Sequence, residues 1–173
     1  YGLDGYTSGL SNRIRSGGPT SVILGTYYGD PSVLVGAYSG ATRGLFQFAN
    51  VAATLAIPAG SAVTDARVQL YQNSQSVGAP VDIEVYQLPQ AYTPSQASWN
   101  NAAAGVPWAT AGAIPAGASP DVTIHADNHS LVHYGFDVTD IVAAGGNVQF
   151  ALRVDWEDTN GWWVRPATHD HPD

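Results

Sequence analysis

Val148, Phe150, Leu152 and Val154 alternate with Gln149, Arg153 and Asp155, the cleanest period-two pattern in the chain. That period puts apolar side chains on one face of an extended strand and polar ones on the other, and a helix cannot use it. The pattern recurs at Ala66, Val68 and Leu70 against Arg67, Gln69 and Tyr71, just after the Pro58 to Gly60 turn. It recurs again at Val81, Ile83 and Val85 against Asp82, Glu84 and Tyr86, a half-buried strand with an acidic outer face. With 19 Gly and 11 Pro in 173 residues and no sustained helical periodicity, short strands joined by tight turns are expected. The length suits one well-buried core. The class is therefore all-β, in a single domain.

Further segments fit that scheme. Ser32 to Tyr38 and Arg43 to Phe48 read as strands around a Ser39-Gly40 turn, and His133 to Asp137 as another. Thr139 to Ala143 reads as a short helical turn stopped by Gly145-Gly146, and Asn160-Gly161 as a turn that makes Trp162 to Arg165 a hairpin partner of the preceding strand. Tyr92 to Ser119, rich in Pro, Ala and Gly with Trp99 and Trp108, reads as a long ordered loop region.

The Pro-Gly turn entering the strand that ends at Tyr71, together with Trp99-Asn100-Asn101 and Phe136-Asp137-Val138-Thr139-Asp140-Ile141-Val142, resembles the DNRLRE-type extracellular β-sandwich domain. That family is related to alginate-binding carbohydrate-binding modules. The resemblance runs from about Arg13 to Ala167. It implies an antiparallel, jelly-roll-like β-sandwich of about eight to ten strands, located outside the cell or on its surface, and a module rather than an enzyme.

Charge narrows the partners. The formal net charge is −8, all six cations are Arg, and Cys, Met and Lys are absent. Nucleic acid and anionic membranes need clustered cations, so both are disfavoured. Disulfides and Lys-Asn cross-links are excluded by composition, and no run approaches the ~18 apolar residues of a membrane span. No nucleophile elbow, phosphate-binding glycine loop or thiol points to catalysis. Asp82 and Glu84 are the pair a glycosidase would need, and a solvated strand face is the plainer account of them.

The segment 1–12 precedes the family resemblance, so the expected layout is an N-terminal extension, 1–12, and a sandwich, 13–173. The absence of an initiator Met leads to the expectation of a mature secreted form. The family places a closing strand after the region matching Trp162 to Ala167, whereas this sequence stops at Asp173. A sandwich one strand short would expose an edge, which the extension could fill, in its own domain or in a neighbour's. Tyr1, Leu3, Tyr6 and Leu10 are the expected assembly residues of a filament or surface-layer subunit, with copies of the chain or a host surface protein as partner, as in cell adhesion.

Two further sites are expected. Trp162 and Trp163 could stack on sugar rings, with Arg165 or Arg153 meeting a carboxylate of a polysaccharide. Asp155, Glu157, Asp158 and Asn160 group hard oxygen ligands suited to structural Ca²⁺, with Asp30 as a distant ligand. The four-residue spacing of His125, His129 and His133 is read as surface histidines.

Overall fold

The computed structural model describes residues 9–18, 20–21, 23–24, 35–37, 40–75, 80–127, 132–145, 147–155 and 163–166. The strands are β1 (Gly9–Arg15), β2 (Ile23–Leu24), β3 (Val35–Ala37), β4 (Ala41–Phe48), β5 (Arg67–Gln75), β6 (Val81–Gln87), β7 (Asn101–Ala103), β8 (Val106–Pro107), β9 (Val122–Ala126), β10 (Val132–Asp137), β11 (Val148–Val154) and β12 (Trp163–Pro166). Two short helices, α1 (Val51–Thr54) and α2 (Thr139–Ala143), complete the set. The first has no signal in the sequence; Asn50 enters it in the left-handed region at φ 53°, which Asn tolerates better than most residues.

One antiparallel sheet path runs β10-β5-β12-β3-β4-β11-β6-β9, with β1 on β4 and β2 on β1. The path doubles over at the β3–β4 hairpin. There Gly40 turns the chain at φ +100°, and a Cβ would lie 2.5 Å from Ser16 Oγ, so only glycine fits.

The inward faces of the doubled sheet supply one core: Val68 and Leu70 of β5, Phe136 of β10, Val164 of β12, Phe46 of β4, Ile83 of β6 and Phe150 of β11. Phe150 stacks on Phe46 at 5.3 Å between ring centroids and meets Phe136 edge-on at 5.0 Å. The first contact is between neighbouring strands. The second joins the two halves of the path, so this is a β-sandwich-like all-β fold. Replacing such a ring by Ala typically costs about 3–5 kcal/mol.

Two expectations need correction. β12 is not the hairpin partner of β11; it pairs with β3 and β5. Both sides of β11 are already occupied, by β4 and β6. The outer face of β6 is not simply solvated either, since Tyr86 is buried.

The reason is a second core on the outer side of β4, β11 and β6. Leu45, Ala151 and Tyr86 point away from the sandwich interior and are covered by Leu88, Tyr92, Ala97, Trp108 and Ile114. The cover is the Tyr92 to Ser119 region, whose backbone polar groups are satisfied locally, as burial demands. Trp108 donates from its backbone to Asn100 O at 3.0 Å and Gly112 to Trp99 O at 2.7 Å, while the Trp108 indole N–H reaches Ser98 O at 2.8 Å. Arg43 lies 4.8 Å from the Trp99 ring centroid and donates to Gly112 O at 2.8 Å. Trp99 and Trp108 are thus structural, pinning the layer to the sheet.

Candidate interaction surfaces

Where the cover ends, β6, β9 and β11 carry a polar row. Strand alternation aims Asp82 and Glu84 outward because Val81, Ile83 and Val85 are taken into the core. Register then sets each partner: Glu84 lies opposite Arg153, and Asp82 opposite His125. Arg153 Nε donates to Glu84 Oε2 at 2.6 Å, its second nitrogen donates to the Tyr86 hydroxyl, and its Cζ sits 4.9 Å from the Tyr86 ring centroid. Tyr86 in turn donates to Glu84 at 3.0 Å. His125 Nδ1 is 2.6 Å from Asp82 Oδ1.

The row is acidic. Burial raises the Tyr86 phenol above its ordinary value, and the hydrogen bond to Glu84 adds to that. Asp155 closes the strand end; loss of water around its carboxyl, then the like charge of Asp82, raises its pKa. One guanidinium faces three carboxylates here, and it is already bound to one of them. Such a surface repels a polyanion, and its polar groups are occupied by each other.

The expected sugar-binding residues are not brought together. Arg153 belongs to this row, on the half of the sandwich built from β9, β6, β11 and β4. Trp163 and Arg165 lie on β12, paired with Gly36 of β3 and Ser74 of β5, in the other half. Trp162 lies outside the described residues. Of the expected calcium ligands, Asp155 is exposed, and Glu157, Asp158, Asn160 and the distant Asp30 also lie outside the described residues. No group of three or more metal-ligating side chains is found among the described residues. His125 and His133 do not converge: the first pairs with Asp82, the second with Tyr71 on β5; His129 lies outside the described residues.

The opposite half presents a face that no described loop covers. Arg67, Gln69, His133, Gly135 and Asp137 are exposed along β5 and β10. Tyr71 and His133 stand side by side with ring centroids 4.7 Å apart. Gly135 lies opposite Gln69, next along the strand from His133 on the same face. Among the described residues a Cβ there would meet nothing closer than Val68 O at 3.9 Å, so neither packing nor a close approach to those residues requires glycine. Asp137 ends β10, and hydrogen bonds from the Thr139 hydroxyl and its backbone N–H, the latter at 2.8 Å, hold its carboxyl below the usual range.

The edges complete the inventory. β1 runs through the expected boundary after residue 12 and pairs within its own chain from Gly9, opposite Phe48, to Arg15, opposite Thr42. Leu10 is thereby held opposite Gln47 of the same chain. Phe48 is the last residue of β4; Tyr1, Leu3 and Tyr6 lie outside the described residues. At the two ends of the path, β9 pairs only with β6 and β10 only with β5 among the described residues. These two edges meet where the Asp127 N–H donates to the Tyr134 hydroxyl at 3.0 Å. Both strands also contribute to a cavity of about 40 Å³ lined mainly by Val85, Val122, Phe136, Val138, Ile141 and Phe150.

No protein-family model matches the chain, and no curated protein matches it either. The likeness to the DNRLRE-type domain therefore rests on the short motifs that carry it. Among the described residues no helix is long and apolar enough to cross a membrane.

Proposed function

We propose that the chain is a non-catalytic structural module of the cell exterior that assembles with copies of itself, the segment ahead of Gly9 completing a neighbour's sheet. The observation that carries this reading is the pair of strands that end the sheet path. Among the described residues β9 pairs only with β6 and β10 only with β5, and strand addition from another copy would satisfy the outer main-chain groups of such an edge. The mutual pairing of Glu84 with Arg153 and of Asp82 with His125 supports a face built for solubility rather than for acid–base chemistry.

Electron microscopy and light scattering of the purified chain test it. The expected result is filaments or oligomers that are lost when residues 1–8 are deleted. A strictly monomeric chain at high concentration, or assembly unchanged by the deletion, defeats it.

A second reading has its own observation. Gly135 in mid-strand costs stability with no need for it among the described residues, and such glycines mark places where a ligand approaches closely. Beside the Tyr71–His133 pair it leaves a strip on which a neutral sugar ring could lie, with β12 next in the sheet bringing Trp163 and Arg165. A neutral polysaccharide is favoured over a polyanion by the net charge of −8. On a glycan array, binding that Gly135→Val abolishes supports this reading; no binding to any glycan removes it.

A further inference from the structure

We infer that the cavity lined by β6, β9, β10 and α2 is a binding site for a small alkylammonium ion, whose aliphatic part enters the cavity while its charged head meets Asp121 and Asp137. The inference goes beyond the assembly reading and is independent of it, since the site lies within a single copy.

The cavity sets the size and polarity of the ligand's tail. Val85, Val122, Phe136, Val138, Ile141 and Phe150 make most of its wall, and it holds about 40 Å³. That is room for about three water-sized groups at ~10–15 Å³ each. Water finds few partners on such walls, whereas a short branched alkyl group fits them. A benzene-sized ring, which occupies an engineered cavity of about 150 Å³ elsewhere, does not.

The charge of the head follows from two carboxylates. Asp121 and Asp137 line the same cavity and are exposed, which places them at its mouth. Each is held by a backbone N–H: Gln87 donates to Asp121 Oδ2 at 2.7 Å, and Thr139 to Asp137 Oδ1 at 2.8 Å. Among the described residues Asp121 Oδ1 receives no donor. The hydrogen bonds from Thr139 also keep Asp137 below the usual carboxylate range, so its charge is present at neutral pH. Arg67, the cation felt by Asp137, is itself paired with Asp65 at 3.2 Å. A ligand cation is the complement that remains, and an ammonium group has three N–H donors to share between the two carboxylates. The net charge of −8 favours its approach over that of an anion.

The order of head and tail excludes a lysine side chain. Lysine would enter ammonium first and bury its charge among aliphatic walls, which is costly. A free amine enters by its alkyl end and leaves the charge at the mouth.

Isobutylammonium chloride is titrated into the unmodified chain at constant ionic strength, and methyl NMR follows Val85, Val122, Val138 and Ile141. Isobutanol supplies the tail without the charge, and ammonium chloride the charge without the tail. The double variant Asp121→Asn/Asp137→Asn removes both charges while keeping an acceptor for each backbone N–H. The expected result is saturable shifts with a Kd of about 1–10 mM, in the range open to so small a ligand. Binding should be at least tenfold weaker for isobutanol, for ammonium and for the double variant. If isobutanol binds the unmodified chain as well as the amine does, the carboxylates have no part and the inference is overturned, whether or not the double variant folds. An absence of saturable shifts up to about 100 mM amine, some tenfold above the expected Kd, removes the site. Neither outcome touches the assembly reading, which stands or falls on the formation of oligomers.

Discussion

Gln149→Leu tests the second core, the least expected feature of the fold. Gln149 lies on β11, 8 % exposed, and its amide nitrogen donates to Leu88 O at 2.8 Å and Gln90 O at 3.1 Å. Its oxygen accepts from Gln47 Nε2 at 3.3 Å. Leucine keeps most of the volume and removes all three bonds. Gln47 retains Tyr92 O at 3.4 Å, so two carbonyls, one of them buried, are left stranded. Each costs about 1–3 kcal/mol, partly offset by the apolar gain of leucine, for a net loss of about 2–4 kcal/mol. In a chain of this length that lowers Tm by about 5–15 °C. Urea denaturation followed by tryptophan fluorescence measures it, since Trp99 and Trp108 sit in the affected layer. A loss below about 0.5 kcal/mol would refute the claim that this amide pins the cover to the sheet.

Other variants probe neighbouring joints. Gly112→Ala places a Cβ 2.6 Å from Arg43 Nη1 and 2.8 Å from the Trp99 ring at φ +85°, so thermal unfolding should show a loss of about 2–4 kcal/mol. Arg153→Met removes the cation paired with Glu84, whose side chain is only 15 % exposed, and leaves it the Tyr86 hydroxyl as donor. Chemical denaturation should show a cost of about 2–3 kcal/mol at pH 7. The raised Tyr86 pKa stabilises the fold below the unfolded phenol value near ~10, and this stabilisation is lost as pH rises through the folded value. Tyr86→Phe should therefore flatten the alkaline limb of a stability–pH curve; an unchanged limb contradicts the assignment.

What was legible in the sequence was the sandwich interior, because β5, β6 and β11 each write it in period two. The cover was not, because its signal is not periodic. Gln149 and Tyr86 fall at positions that alternation assigns to solvent, and only the loop folded over them makes those positions interior. Pairing was illegible for a related reason. Adjacency in sequence proposes β11 and β12 as a hairpin, but β11 is central in its layer, so β12 must cross to β3 and β5. That crossing separates Arg153 from Trp163 and Arg165, which sequence proximity had grouped. Gly135 could have been noticed as a glycine inside a strand pattern; the lack of any packing reason for it needed coordinates.

The remaining contacts of the molecule sort by which atoms they use. β4, β11 and β6 bury both faces, so a partner on that half meets the loop layer or the self-paired polar row. Among the described residues β5 and β10 leave a face open, and β10 an edge beside it. A glycan on the face is held by side chains, whereas a strand on the edge is held by main-chain hydrogen bonds. Asp4→Pro separates the two, because proline removes one N–H and cannot take every position in a ladder. If strand donation operates, this variant should assemble at least tenfold less well at equal concentration while its monomer unfolds at the same temperature, and Tyr71→Ala should assemble normally. If Asp4→Pro assembles like the unmodified chain and Tyr71→Ala does not, the contact between copies is made through the open face, and the edge has no part in it.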